Sequence, residues 1–310
     1  MLPVKILKKM KVFITGATGL IGSQLSRRII ERGDSVTVLT RDAARAKNKL
    51  GDAVKCVSSL GDMENLDAFD AVINLCGENI GDKRWTPLQK SLIENSRWHP
   101  TEKIAELIRR GANPPKVLIS GSAVGWYGPQ KNKILSESSA PQEGGFLQGV
   151  CAKWENLARS AESEHTRVCV LRTGIVLAGS GGMLAKIAPI FKTGLGAKLG
   201  GGGQYVSWIH IDDMARAILF LLDNSSANGA FNMCSLEPVK ADVFYDLFAG
   251  ALGRKCRFRI PEWLLRAVFG ERADIMLDSS RAVPVRLGEM SFSFEYPLLE
   301  KAFAQIAKSL

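Results

Sequence analysis

The stretch Lys11-Val-Phe-Ile-Thr-Gly-Ala-Thr-Gly-Leu-Ile-Gly-Ser-Gln-Leu25 decides the fold of this chain. It opens with a short apolar run that predicts a buried strand. Gly16, Gly19 and Gly22 follow at a spacing of three residues, and apolar residues then recur with the period of a helix. A strand, a glycine turn and a helix N-terminus together form a cradle for phosphate groups, because the helix offers free N–H groups there. The stretch therefore predicts a dinucleotide site.

Each glycine has a predicted task in that cradle. Gly16 makes the sharp turn, Gly19 admits the phosphates, and Gly22 lets the helix pack against its strand. The neighbouring residues that we expect to contact the cofactor are Thr18, Leu20 and Ile21.

The residue after the second predicted strand selects the cofactor. Ser35–Thr40 reads as that strand, and an acidic residue at its end would bind the ribose hydroxyls of NAD. This chain has Arg41 there. Because an arginine suits a 2′-phosphate, we predict NADP(H) as the cofactor. The alternative is that Arg41 only closes a loop.

The composition points to a globular protein without metal. Of 310 residues, 46% are hydrophobic and 23% are charged, and no apolar stretch approaches the length of a membrane span. The first ten residues carry lysines but no secretory signal pattern, and we expect a poorly ordered extension. The six cysteines form no CxxC pair and there are three histidines, which predicts no metal site and a reducing cytoplasmic location.

The net charge of +10 raises the question of a nucleic-acid partner. Residues 1–50 hold eleven Lys and Arg against three acidic residues, so most of the excess surrounds the predicted cofactor turn. No basic stripe interleaved with aromatic residues occurs elsewhere. We therefore expect neither a nucleic-acid nor a membrane partner, and a small-molecule substrate instead.

Further along, strand and helix patterns keep alternating. This favours an α/β fold, a doubly wound parallel sheet. A long helix is predicted over 86–110, with Thr86 as N-cap and Pro87 in the first turn. The strand before it ends in a turn that we expect to contact the cofactor at the carboxyl edge of the sheet: Leu75, Cys76, Gly77 and Glu78.

The fifth predicted strand runs into Ser120-Gly-Ser-Ala-Val-Gly-Trp-Tyr-Gly128. We expect Ser120 to lie near the cofactor and the Ser122 hydroxyl to enter the cleft. There it would hydrogen-bond a substrate carbonyl or alcohol and so stabilise charge developing on oxygen. The alternative is a turn serine that bonds its own backbone.

The chain divides into three predicted parts. They are an extension over 1–10, a nucleotide-binding domain over 11–235, and a small, mostly helical C-terminal domain over 236–310. Within the second part, glycine-rich residues 178–204 are expected to form a mobile wall of the substrate cleft.

Several motifs resemble the extended short-chain dehydrogenase/reductase family, and within it the atypical "epimerase family" proteins with a small C-terminal domain. They occur in the same order from about Lys11 to near the C-terminus. Besides the glycine turn and the serine loop they are Asn74-Leu-Cys-Gly-Glu-Asn-Ile80, Asp82-Lys-Arg-Trp85, Leu171-Arg-Thr-Gly-Ile-Val-Leu177 and Ser207-Trp-Ile-His-Ile-Asp-Asp213.

The resemblance implies a Rossmann-type domain with an interleaved substrate lobe, and hydride transfer assisted by a Ser/Thr, a Tyr and a Lys in a Tyr-x-x-x-Lys helix. Ser122 matches the serine and Lys153 the lysine, which would also hold the cofactor ribose. The tyrosine position is Gly149, a departure from the family pattern. Tyr127 is then a candidate acid/base or, equally, a wall of the cleft. Lys153 has the alternative of a solvated helix lysine, and we expect His210 to be structural.

These observations predict an NADP(H)-dependent oxidoreductase or epimerase for a small carbonyl or sugar-like substrate. The departure at Gly149 keeps a second hypothesis open, a non-catalytic NADP(H)-binding sensor. Many relatives dimerise through two helices that correspond to 86–110 and 146–164, so a homodimer is compatible with the resemblance.

Overall fold

The computed structural model describes residues 9–310, so the predicted extension lies outside the described residues except for its last two. The strands are β1 (Lys11–Thr15), β2 (Ser35–Leu39), β3 (Lys55–Val57), β4 (Ala71–Asn74), β5 (Val117–Ala123), β6 (Ile134–Leu135), β7 (Arg167–Thr173), β8 (Ile175–Leu177), β9 (Ala197–Leu199), β10 (Tyr205–Val206), β11 (Trp208–His210), β12 (Gly229–Met233), β13 (Val239–Lys240), β14 (Phe258–Ile260) and β15 (Arg281–Ala282). The helices are α1 (Leu20–Glu31), α2 (Ala43–Leu50), α3 (Pro87–Arg110), α4 (Phe146–Arg159), α5 (Gly182–Lys192), α6 (Ile211–Asp223), α7 (Ala241–Ala251), α8 (Glu262–Phe269), α9 (Asp274–Leu277), α10 (Val285–Glu289) and α11 (Leu299–Ala307).

Seven strands form one parallel sheet in the order β12-β7-β5-β4-β1-β2-β3. The chain starts in the middle at β1, moves outward to β3, and then crosses back to pair β4 with the other side of β1. The strand order thus reverses between β1 and β4, which is where ligands bind in open sheets of this kind. The predicted doubly wound fold is confirmed.

Helices cover both faces of the sheet because its strands carry apolar residues on both sides. In β1, Val12 and Ile14 face the layer that contains α1, α2 and α6. Phe13 faces the opposite layer, where it packs in a cluster with residues of α3 and α4. Thr86 caps α3 by accepting the backbone N–H of Gln89, with proline in the first turn as predicted.

A second apolar core holds the C-terminal region together. Its members include Leu184 and Phe191 of α5, Phe244 of α7 and Phe303 of α11. Residues 178–204 are therefore more than a glycine-rich wall, because α5 contributes its apolar face to the same core as residues after 236. The helical character predicted for the C-terminal region is confirmed, while the domain boundaries stay a prediction.

The loop over 77–86, which we call the β4 loop, ties this region to the end of β4. Lys186 of α5 forms an ion pair with Asp82. Arg272 donates to the backbone carbonyl of Gly81, 3.1 Å away, and Lys90 pairs with Glu271 at 2.6 Å. No helix in the described part of the chain is long and apolar enough to cross a membrane.

Two helical glycines in contrasting surroundings test the close packing of the glycine turn. A Cβ at Gly22 would lie 2.2 Å from the carbonyl oxygen of Gly16, whereas a Cβ at Gly149 would meet nothing within 4 Å. We expect Gly22→Ala to lower the free energy of unfolding by roughly 1–3 kcal/mol through overpacking. Gly149→Ala should raise it by roughly 0.5–1 kcal/mol, because alanine is the better helix former. Urea unfolding measures both, and equal effects would contradict this account.

Candidate cofactor and substrate site

The glycine turn after β1 has the geometry of a phosphate cradle. Gly16 adopts a φ of +70°, and a Cβ there would lie 2.5 Å from the carbonyl oxygen of Leu75, so only glycine fits. Helix α1 follows with Gly19 as N-cap, without a capping side chain and without an acidic residue in its first turn. Its first N–H groups are therefore free to bind an anion such as a pyrophosphate.

The other predicted contacts surround this turn. Leu20 and Ile21 are half-buried at the start of α1. A Cβ at Gly182 would lie 3.1 Å from a methyl group of Leu20, so the loop that leads into α5 passes close to the α1 N-terminus. The carbonyl of Thr18 accepts a hydrogen bond from Lys49 Nζ at 2.7 Å, which places a positive charge beside the turn.

Arg41 lies exposed two residues after the end of β2. Glu78 in that loop accepts a hydrogen bond from Lys83 Nζ at 3.1 Å and a longer one, 3.5 Å, from Gln89. These bonds lower the pKa of Glu78, and the charges of Lys83 and Arg41 lower it further. Arg41 is therefore close enough to interact with the same edge of the sheet as the glycine turn, where the adenosine end of a dinucleotide would lie.

The turn after β4 rests on a buried polar network. Asn74 accepts from Thr15 Oγ1 at 2.6 Å and donates to Thr101 Oγ1 at 2.8 Å, which joins β1, β4 and α3. Cys76 is half-buried with Sγ 3.0 Å from Asn74 Oδ1, and burial raises the pKa of its thiol. Ser120 has no exposed surface and lies 3.5 Å from Asn74 Nδ2. It is thus inside the network and is not brought to the cleft.

Ser122 belongs to a buried charged cluster. Its hydroxyl donates to Glu155 Oε1 at 2.8 Å, and Arg172 donates to both oxygens of the same carboxylate at 2.9 and 3.0 Å. Ser122 is 5% exposed, and both charged side chains are 3% exposed. Because a serine hydroxyl has one proton, Ser122 in this arrangement can accept a hydrogen bond from a substrate alcohol but cannot donate one to a carbonyl.

Tyr127 lies in the core and not on the wall of a cleft. Its side chain has no exposed surface, and its hydroxyl lies 3.0 Å from the carbonyl of Ser136 and 2.7 Å from Asn232 Oδ1. Burial raises its pKa to about 12, although Arg172 opposes that shift. These contacts disfavour the predicted acid/base role, since neither solvent nor a substrate reaches the phenol.

Lys153 is not brought to the serine loop. It is exposed on α4, with Nζ 4.0 Å from the centre of the Trp98 ring on α3. The helix face that meets the serine loop carries Leu147 and Cys151, which would lie 3.6 and 4.0 Å from a Cβ at Gly125. The residue of this helix that meets the serine loop is therefore Cys151 and not Lys153. The two positions differ by two residues, which is more than half a turn of helix.

Glu155 and Arg172 are not among the predicted site residues, although the sequence contains a signal for them. Arg172 follows four buried residues of β7, and a charged residue in a buried parallel strand requires a partner. Glu155 faces it from α4. The ring of Trp126 also packs on the Arg172 guanidinium, 3.3 Å from the centroid, which shields the ion pair from water.

No group of metal-ligating side chains is present in residues 9–310. A parallel seven-stranded sheet with a glycine cradle at its switch point defines the class as a Rossmann-type dinucleotide-binding fold. A family model described as the NAD dependent epimerase/dehydratase family matches residues 12–234, and one described as a domain of unknown function, DUF1731, matches residues 260–306. The chain belongs to the NAD dependent epimerase/dehydratase family.

Similar proteins span the whole length of the chain. An epimerase family protein of Staphylococcus haemolyticus is 36% identical over 96% of this chain and 99% of its own length. The crystal structure of a human epimerase family protein, SDR39U1, with NADPH is 30% identical with a TM-score of 0.90 over 97% of this chain and all of that one. UDP-glucose 4-epimerase of Thermotoga maritima, solved with UDP-glucose, has a TM-score of 0.79 over 97% of this chain and 98% of its own. At 18% identity that likeness concerns the fold alone.

The buried ion pair gives a prediction about stability. Glu155→Gln removes the charge that compensates Arg172 while keeping the side chain's shape. Because it leaves a buried guanidinium unpaired, we expect a loss of roughly 3–5 kcal/mol in the free energy of unfolding. The partly exposed Glu106, which pairs with Lys103 and Arg110, is the control, and Glu106→Gln should cost under about 1 kcal/mol. Denaturant unfolding of both variants provides the comparison, and a small loss in Glu155→Gln would contradict the assigned pairing.

Proposed function

We propose that this protein is an NADP(H)-dependent oxidoreductase or epimerase of the extended short-chain type, acting on a small carbonyl or sugar-like substrate. The observation that carries the proposal is the uncapped α1 N-terminus behind a glycine turn that admits no side chain. The NADPH in the human relative, at 30% identity over nearly the whole chain, supports the choice of cofactor.

The residues present fit such a cofactor. The backbone of Gly16 and Gly19 and the N–H groups of α1 would hold the pyrophosphate. Arg41 would bind the 2′-phosphate, and the Leu75–Glu78 turn would border the ribose. The cofactor, when bound, supplies a hydride or accepts one.

Ser122 would orient the reacting oxygen. With its own proton donated to Glu155, the hydroxyl oxygen can accept the hydrogen of a substrate alcohol. The Glu155–Arg172 pair holds the serine in this rotamer. Its part in the proposal is therefore the positioning of a hydroxyl group and not the transfer of a proton in place of the absent tyrosine.

A second candidate function is an NADP(H) sensor without turnover. It is favoured by the face of α4 that meets the serine loop. This face carries Leu147 and Cys151 in place of a Tyr and Lys pair. Burial raises the pKa of Cys151 to about 11, so the thiol stays protonated near neutral pH. This face would bind a cofactor without supplying a strong acid or base.

Cofactor selectivity depends on Arg41 in this proposal. We expect Arg41→Ala to weaken NADPH binding by roughly 10- to 100-fold, because a charge-assisted contact with the 2′-phosphate is lost. Binding of NADH, which has no such phosphate, should change by less than about threefold. Fluorescence titration measures both ligands, with Arg110→Ala at the far end of α3 as the control. Equal losses for NADPH and NADH would remove the basis for NADP preference.

Isotope transfer distinguishes the two candidate functions. The protein is incubated with a metabolite extract and NADPH deuterated at C4 of the nicotinamide, and mass spectrometry searches for products heavier by one deuterium. An oxidoreductase should yield a labelled product, and Ser122→Ala should slow its formation, because the serine oxygen can no longer accept the hydrogen of the alcohol that forms. Binding of NADPH without any labelled product would favour the sensor, or an epimerase that returns the hydride to its own substrate.

A further inference from the structure

Arg97 is a partly buried arginine that none of the roles assigned above uses. It lies on α3, and its guanidinium rests against the end of β4, where a Cβ at Gly77 would be 2.9 Å from its Cζ. On its other side the Trp154 ring of α4 has its centroid 5.4 Å away. The guanidinium thus lies between the turn after β4 and the helix that faces the serine loop.

The hydrogen bonds of Arg97 use only part of its donors. Nη1 donates to the carbonyl of Ile93 at 2.9 Å and to Ser96 Oγ at 3.2 Å, and Nη2 donates to the carbonyl of Glu78 at 3.0 Å. An arginine has five N–H groups, so the edge formed by Nε and Nη2 keeps donors without a partner among residues 9–310. Nε is not one of the fully buried atoms that lack a partner, so Nε itself keeps some exposure to solvent.

Arg97 also has no ion-pair partner among residues 9–310, although the charge of Glu78 acts on it from beyond 4 Å. In the described part of the chain no carboxylate oxygen lies within 4 Å of it, and the carboxylate of Glu78 pairs with Lys83 instead. The nearby thiols of Cys76 and Cys151 have raised pKa values and stay protonated near neutral pH. Burial lowers the pKa of Arg97, but an arginine remains charged in a protein.

Leaving a partly buried cation unpaired costs free energy, and such groups concentrate at functional sites. Arg97 lies against the turn after β4, which is proposed to border the cofactor ribose. The turn it touches also touches the glycine turn, since the Leu75 carbonyl lies against Gly16. A free guanidinium edge binds a carboxylate or phosphate through two parallel hydrogen bonds. A cation at this turn would accordingly select substrates that carry such a group.

We propose that Arg97 is the substrate-binding cation of this cleft, and that the substrate carries a carboxylate or phosphate group which occupies the free Nε–Nη2 edge of its guanidinium. This inference rests on the proposed function for the position of the cofactor, and it adds the substrate class. It also places the positive charge of the cleft on α3 and not at Lys153, which is exposed on α4 with its Nζ over the Trp98 ring.

Titration calorimetry with oxalate and with inorganic phosphate, in buffer of low chloride and with saturating NADP⁺, tests the proposal. At least one of the two anions should bind the native protein, and whichever binds identifies the group. Arg97→Gln should weaken that binding at least tenfold, whereas Arg97→Lys, which keeps the charge but loses the planar fork, should weaken it less. The control is Arg110→Gln on the same helix, about 20 Å away by helical rise. It should leave the affinity unchanged.

The affinity of each variant for NADP⁺, measured first, separates the two proposals. Arg97→Gln should bind NADP⁺ within about threefold of the native protein. A native protein that does not bind NADP⁺ contradicts the proposed function, and the anion titration without cofactor then still tests Arg97. Absence of binding by both anions overturns the inference, as does equal binding to the native protein and both Arg97 variants. A loss of NADP⁺ affinity in Arg97→Gln also overturns it, because Arg97 would then serve the cofactor, either by direct contact or through the Glu78 carbonyl that it holds.

Discussion

The close approach of three backbone segments at the glycine turn is the constraint on which the site depends. The carbonyl of Leu75 lies where a side chain of Gly16 would be, and the carbonyl of Gly16 lies where a side chain of Gly22 would be. The turn, the start of α1 and the end of β4 can meet only because no Cβ stands between them. This contact brings the helix N-terminus to the point where the strand order reverses, and every other candidate site residue is placed relative to it.

The site combines the geometry of a dinucleotide-binding turn with side chains that depart from the family pattern. A family helix would present a tyrosine and a lysine to the serine loop, but here the corresponding face of α4 carries Leu147 and Cys151. The positive charge in this region comes instead from Arg97 on α3. Ser122, with its proton donated to Glu155, can only accept a hydrogen bond, and the Cys151 thiol stays protonated near neutral pH, so this face is poorly suited to transferring protons.

The buried pair of Glu155 and Arg172 connects stability with function. Either charge alone in the core would cost free energy. Together, Glu155 and Arg172 form an ion pair whose remaining contacts are made by Ser122 and the Trp126 ring. The pair joins α4 to β7 and so fixes the position of α4 beside the serine loop. The rotamer of Ser122 is a consequence of this packing, which no local feature of the serine loop would indicate.

The sequence by itself determined the fold, because strand and helix periodicity, the glycine spacing and the cap of α3 at Thr86 are local signals. It also located the glycine turn and Arg41, whose places follow from their distance along the chain from β1 and β2. Only the tertiary structure decided which side chains meet in the cleft. Which face of α4 meets the serine loop depends on the burial of Glu155. Counting four residues back from Lys153 therefore selects the wrong face of the helix. Ser120 and Tyr127 are close to Ser122 in sequence yet have no exposed surface at all, whereas Ser122 keeps a 5% exposed edge. The role of Arg97 depends on which carboxylates lie near it, and that is a property of packing that no spacing encodes.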